Sequence, residues 1–316
     1  MISVITPVYN TFATLPRCLA SVREQEADVE HIVIDDGSTD GARAWLEAQP
    51  GIRLLVQERR GAAAARNTAL EAARGRWVKF LDADDWLLPG ALRQQQVQAE
   101  ALTAMEIVYG THEMHYPDGR VEALDRTKTP HAHHPNPLVS LVLSNILGTL
   151  ALYPVSALRD VGGFDARLPG RQEWNLNLRL ARAGYRFVFR PAHVFVQYMG
   201  THPDRISNRP FRLETEDPAV RDALYPLEEV RHHADVACAV AAYLWQIGRR
   251  FVRQGDRGAA LSFFRWAREW SPDGGSPFYP SRYRTLIRQL GPWYTDRLAI
   301  WLYHAKKKAR RISRKT

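Results

Sequence analysis

The sequence predicts an open, doubly wound α/β domain followed by an α-helical region, and three observations carry that expectation. Strand and helix signals alternate through the first 110 residues. The strand-like runs are continuously apolar, as in a parallel sheet covered on both faces, and do not alternate apolar with polar. Three of them stop abruptly in polar or acidic turns, "VYN", "DDGSTD" and "DADD". A β-α-β-α-β-α-β order belongs to open α/β sheets, where ligands bind outside the carboxyl ends of the strands.

Each element follows from its residues. "ISVITPVY" is a short β-branched run ending in a turn, and Leu15, Cys18, Leu19 and Val22 have helical spacing. "EHIVIDD" gives a second strand, and Ser38, Thr39 or Asp40 can cap the helix after it. "IRLLVQE" gives a third strand, and the alanine-rich "GAAAARNTALEAAR" a helix opened by glycine. "RWVKFL" is the fourth strand, with a helix over "LLPGALRQQQVQAEAL". Beyond it, "HEMHYPDGRVEA" reads as a hairpin around Asp118-Gly119. "LVSLVLSNI" and "QEWNLNLRLARAG" read as helices and "YRFVFRP" as a strand. After Pro210 the chain turns helical, and Leu244 to Pro272 is similar to one helical hairpin of the tetratricopeptide kind. The expected domains are residues 1–215 and 216–316.

Composition narrows the class. At 316 residues, 45% hydrophobic and 24% charged, the chain suits a globular protein with ample core. Cys18 and Cys238 stand far apart with no paired spacing, so a reducing cytoplasm is expected and a zinc site is not. No signal peptide is read at the N-terminus, and no apolar run approaches a membrane span. From Arg231 onward there are 18 Lys and Arg against 5 Asp and Glu, whereas the first 230 residues carry 25 against 29. The excess of basic charge therefore belongs to the C-terminal part alone.

Asp82, Asp84 and Asp85 repel one another at the end of the fourth strand, and something must offset that cost. A divalent cation would do so, and a solvated turn with a helix cap is the plainer alternative. His131, His133 and His134 lack metal-ligand spacing and read as loop.

Six segments in order resemble the family 2 glycosyltransferases of the GT-A fold. They are "SVITPVYN", "VIDDGSTDG", "GAAAARNTAL", "FLDADD…LPG", "ALYPVSALRDVGGFD" and "QEWNLNLRLARAG", and the similarity covers roughly residues 1–200. The resemblance implies a Rossmann-like, mostly parallel central sheet with an α-helical C-terminal extension. It implies an inverting hexosyl transfer from a nucleotide sugar, UDP-linked by preference, to a hydroxyl of a glycan or lipid-linked acceptor in envelope polysaccharide synthesis.

The same resemblance distributes roles. Asp84 is the expected ligand of Mg²⁺ or Mn²⁺, with Asp82 on the sugar or ribose side, Ala83 between them in the donor site and Asp85 in support. Tyr9 would stack on the base, Asp36 would accept from a base N–H, Asp35 would add a polar contact and Pro7 would shape the turn. Arg66 beside a helix N-terminus suits the diphosphate. The base falls on Glu173, where the family usually has Asp, and Gln172 replaces the usual Glu; the extra methylene displaces the carboxylate by roughly 1 Å, which matters in catalysis. Asp165, His193 and His202 carry no assigned role.

The C-terminus sets Trp293, Leu298, Ile300, Trp301 and Leu302 before seven basic residues between Lys306 and Lys315. That pattern suits the anionic inner face of a membrane, or a helix packing on the domain with a free tail. Nucleic acid is not expected, since no recognition module accompanies the charge. Nucleotidyl transfer would need a glycine-rich basic loop after the first strand, and "TPVYNTFATLP" is not one. The non-enzymatic alternative is a degenerate transferase acting as a scaffold.

Overall fold

The computed structural model describes residues 1–125, 127, 134–168, 170–200, 211–272 and 279–312, with side chains up to residue 302. The chain divides into two compact units, Met1–Pro226 and Leu227–Thr316.

The first unit is built on one sheet of nine strands. They are β1 (Ile2–Val8), β2 (Val29–Asp35), β3 (Ile52–Val56), β4 (Trp77–Phe80), β5 (Trp86–Leu87), β6 (Glu106–His115), β7 (Val121–Ala123), β8 (Ala151–Pro154) and β9 (Arg186–Tyr198). Their order is β3-β2-β1-β4-β8-β6-β9-β5, with β7 beside β6. Helices α1 (Leu15–Arg23), α2 (Ala42–Glu47), α3 (Ala62–Ala72) and α4 (Ala91–Glu100) connect or follow the first strands. Then come α5 (Pro137–Leu143), α6 (Val155–Asp160), α7 (Gln172–Arg182) and α8 (Leu213–Leu224). β1, β2 and β4 bury almost every residue, as their unbroken apolar runs require.

The first four strands are parallel, as expected. Past β4 the sheet is mixed: β8 runs antiparallel to both β4 and β6, and β9 lies parallel to β6. "Mostly parallel" therefore holds for the first half alone. Apolar content reports that a strand is buried, not which way it runs, so this half was unreadable in direction.

One local rule was also overridden. The strand expected to close at Pro191 continues to Tyr198, because the β6–β9 register shifts at Tyr109/Thr111. Gly110 sits at that shift, and a Cβ there would stand 2.5 Å from the Ala192 carbonyl oxygen. A bulge with glycine opposite is how a strand passes a residue that cannot donate. The Asp118-Gly119 hairpin forms as expected, with Gly119 at φ 84°.

In the second unit α9 (Ala234–Gln254) and α10 (Arg257–Trp270) form the expected helical hairpin. Gly255 closes α9 at φ 84°, and the Asp256 side chain caps α10 by accepting from Ala259 N at 2.9 Å. Between them Trp245 meets Phe264 at 4.5 Å, and Gly248 provides the room: a Cβ there would lie 2.7 Å from the Phe264 ring. The last helix, α11 (Ser281–Ile312), is kinked at Gly291-Pro292.

The expected division after residue 215 cuts α8. That helix is tied into the first unit by Arg171–Glu216 at 2.6 Å and by Asn175 Nδ2 donating to Ala223 O. Among the described residues, no helix is long and apolar enough to cross a membrane.

Candidate active site

The carboxyl ends of β1, β2 and β4 lie side by side, because Val8 pairs with Asp35 and Ile5 with Phe80. Two backbone bonds carry the alignment past the strands: Asp36 N donates to Val8 O, and Leu81 N to Ile5 O. Below, Val8, Leu15, Leu19, Val33 and Ala83 share one apolar cluster. The turns therefore have a fixed floor.

Loop chemistry then knits the rim. Asn10 takes the left-handed conformation at φ 50°, and its side-chain oxygen accepts from Thr39 N at 2.8 Å. Phe12 N donates to Asp40 Oδ2 at 2.8 Å, and Ser38 N to Asp35 Oδ1 at 3.1 Å. The other Asp35 oxygen is buried without a hydrogen-bond partner. Asp36 is buried as well and accepts from Gln57 Nε2 (2.6 Å), Arg60 N (2.8 Å) and Gly61 N (2.8 Å). It thus locks the entrance of α3 to the end of β2. Its Oδ2 takes one of these bonds, which leaves that oxygen acceptor capacity. Tyr9 is half-buried, and the Arg59 guanidinium lies 3.8 Å from its ring centroid. Pro7 is partly exposed at the end of β1.

The acidic turn is compact. Ligand oxygens of Asp82, Asp84 and Asp85 all lie within 4.8 Å of one another. Asp82 and Asp84 are half-buried and Asp85 is buried. Ala83 points into the floor, and its carbonyl accepts from Thr14 Oγ1 at 3.0 Å. Asp85 accepts from Tyr198 N at 2.9 Å, so it ties the turn to the end of β9 instead of capping the next helix. Hard carboxylate oxygens gathered so tightly fit a Mg²⁺ or Mn²⁺ ion.

Arg66 is the pivot. Its side chain is 7% exposed, and Nη2 lies 2.5 Å from Asp82 and 3.8 Å from Glu173. Here the guanidinium, expected at a diphosphate, spans two acids. The Phe164 ring lies 5.3 Å from it, and Asn67 holds Phe164 in place. Asn67 Nδ2 donates to Phe164 O at 2.7 Å, and Phe164 N donates to Asn67 Oδ1 at 2.8 Å. Gly162 and Gly163 form the turn at φ 73° and 67°, and a Cβ on Gly163 would stand 2.5 Å from Asn67 Oδ1. These glycines are conformational, as their sequence suggested.

Glu173 enters at the second position of α7. Gln172 beside it donates to Leu168 O, and Trp174 Nε1 anchors the helix by donating to Leu141 O at 2.9 Å. Burial pushes the Glu173 carboxyl up; Arg66 opposes that, the charge of Asp82 adds to it, and the Gly148 N–H opposes it again. Gly148 touches the carboxylate so closely that a Cβ there would lie 3.0 Å from Glu173 Oε1.

The structure therefore brings Arg66, Asp82, Asp84 and Glu173 together, with Tyr9, Asp35 and Asp36 on the neighbouring strand ends. Asp165 instead pairs with Arg167 at 2.7 Å, and His193 is exposed on β9. His131, His133 and His202 lie outside the described residues. Arg59, Asn67 and Gly148 were missed. Only Asn67 carried a sequence signal, standing next to Arg66 in "RNTA".

A two-lobed sheet, parallel in its first half and mixed in its second, with an acidic turn at the junction, defines the GT-A class. The family model "Glycosyl transferase family 2" matches residues 3–162, and the chain belongs to that family of glycosyltransferases. It is 31% identical over 218 residues to glycosyltransferase AglE of Haloferax volcanii, covering 65% of this chain and 67% of that protein. It is 38% identical over 118 residues to the Escherichia coli UDP-Glc:alpha-D-GlcNAc-diphosphoundecaprenol beta-1,3-glucosyltransferase WfgD, covering 36% of this chain and 46% of the other. The crystal structure of S. aureus TarS 1-349 in complex with UDP-GlcNAc superposes with a TM-score of 0.70 at 17% identity, covering 96% of this chain and 92% of that one. The match to the two curated relatives thus spans about half to two thirds of their own length.

Proposed function

We propose that the chain transfers a sugar, with inversion, from a nucleoside-diphosphate sugar to a hydroxyl of a glycan or lipid-linked acceptor in envelope polysaccharide synthesis. UDP is the favoured nucleotide and a divalent cation is required. The observation that carries this reading is the convergence of the acidic turn and Glu173 on the two sides of Arg66. WfgD's name and the UDP-GlcNAc bound to TarS lend the donor and lipid-linked acceptor further support.

Asp84, with Asp82 or Asp85 beside it, would hold the Mg²⁺ or Mn²⁺, which when bound stabilises charge on the departing diphosphate. Tyr9 offers a ring face to the base, and beside it Asp36 Oδ2, with one hydrogen bond, and the unpartnered oxygen of buried Asp35 keep acceptor capacity. Pro7 and Ala83 set the backbone of the donor pocket. Glu173 takes the proton from the acceptor hydroxyl as that oxygen bonds to the anomeric carbon and the nucleoside diphosphate leaves with the other bonding pair. A carboxylate raised by burial is the stronger base for this task. Arg66 keeps Glu173 ionised and pointed at the crevice, and Asp82 holds Arg66.

The exposed apolar residues of α11 support work at the inner membrane face. Beyond the kink, Tyr294, Leu298, Trp301 and Leu302 recur at helical spacing, with Trp301 65% exposed. The basic residues from Lys306 onward lie outside the described side chains.

A panel of UDP- and GDP-sugars, read by thermal shift with and without Mn²⁺, tests donor and metal together. A Mn²⁺-dependent rise in melting temperature with one or more UDP-sugars is expected. A panel in which no nucleotide sugar shifts the transition would defeat the proposal.

A further inference from the structure

The second unit holds its own concentration of chemistry, an open cleft lined by residues of α9, α10 and α11 and of the segments that flank the last two helices. Trp245, Tyr279 and Ile287 give it an apolar lining, and Arg268, Arg284 and Arg288 give it three guanidiniums. The lining is firmly held. Trp245 is 1% exposed, and its Nε1 donates to the Tyr283 hydroxyl at 3.1 Å. Tyr283 donates in turn to Asp296, which pairs with Arg249 at 2.8 Å. Asp296 is thus already paired with an arginine outside the cleft.

The three cleft arginines are not. Among the described residues none of them takes part in an ion pair. Arg284 and Arg288 stand one turn apart on α11, and the Arg268 guanidinium carbon lies 5.9 Å from the Trp245 ring. The Arg284 Nε is buried with no hydrogen-bond partner. A buried donor left unsatisfied is costly, and three like charges around one cleft repel. One anion with several oxygens relieves both costs.

We infer that this cleft binds the phosphate group of a phosphorylated saccharide, a site separate from the transfer crevice. Guanidinium forks match phosphate oxygens in pairs, and three of them suit a group with three free oxygens better than a carboxylate with two. Tyr279 and Ile287 beside the cationic rim offer apolar surface to the C–H faces of a sugar ring. The inference stands on the second unit alone and does not depend on the proposed transfer reaction. A lipid phosphate presents the same headgroup chemistry, so the test separates the two sources.

The test is isothermal titration of the full chain, in EDTA, with glucose 1-phosphate, glucose, glucuronate and phosphatidic acid vesicles as parallel ligands. Glucose 1-phosphate is expected to bind and glucose is not. Arg284→Gln and Arg288→Gln should each weaken binding by about tenfold or more, the size of one lost charge-assisted contact. Asp84→Asn should leave it unchanged. Unaltered melting temperatures establish folding, and the exposed Arg268→Gln repeats the test on another helix should Arg284→Gln melt early. Binding that survives the arginine variants and vanishes in Asp84→Asn belongs to the crevice and overturns the inference. Equal binding of glucuronate, binding to phosphatidic acid vesicles alone, or no binding at all overturns it as well.

Discussion

Glu173 owes its chemistry to three neighbours from three elements: Arg66 of α3, Asp82 after β4 and Gly148 before β8. Its carboxyl is raised, so the proposed base is lost as pH falls through a value above the ordinary carboxylate range. The acidic limb of kcat should therefore lie above about pH 4.3, the free glutamate value. A pH–rate profile checks this, and a limb at or below that value would refute the raised carboxyl. Glu173→Gln should cut transfer by at least about a hundredfold, as loss of a general base does, while UDP binding persists. Gly148→Ala should lower kcat with little change in KM, because the added Cβ pushes against Glu173 Oε1 and not against the donor pocket. The acidic turn, Tyr9, Arg66 and Glu173 were legible because each sits in a contiguous motif. Arg59 and Gly148 were not, since each acts only through a partner far away in sequence. Arg66 was legible as an anion-binding residue, whereas its reach to Asp82 and Glu173 of the chain itself was not, because both lie far from it in sequence.

At the scale of elements, β4 carries the acidic turn and also a fully buried lysine. Lys79 Nζ donates to Gln95 Oε1 at 2.7 Å, Gln95 donates onward to Leu150 O, and burial lowers the Lys79 pKa to about 7. A base with a depressed folded pKa favours the neutral form in the fold. Its penalty is complete below about pH 7 and fades as pH rises toward the unfolded value near 10.5. The melting temperature should accordingly climb between pH 7 and 9, and that climb should be smaller in Lys79→Met, by calorimetry on both proteins. Equal slopes would show that Lys79 does not titrate in this range. The parallel half of the sheet was readable from buried runs and the alternation of elements. The mixed half was not, because strand direction depends on how the chain returns through α5 and the turn at Gly148, and no residue pattern encodes that path.

Over the whole molecule, acidic residues dominate the first part of the sequence and basic residues the last. The compact units divide at Pro226/Leu227, eleven residues past the division expected after 215, because a helix signal such as that of α8 does not say which unit it joins. Co-sedimentation with anionic vesicles should fall when Leu298 and Trp301 are both changed to Ala, and it should fall again at high salt. Equal recovery with the double variant would remove α11 from any membrane role. Everything proposed for the crevice depends on the acidic turn engaging the donor through a cation. Calorimetric titration of UDP into the wild-type chain and into Asp84→Asn, each with Mn²⁺ and with EDTA, tests that most directly. Binding to wild type with Mn²⁺, reduced at least about tenfold by EDTA or by Asp84→Asn, is the predicted result. Equally tight UDP binding under all four conditions would contradict it.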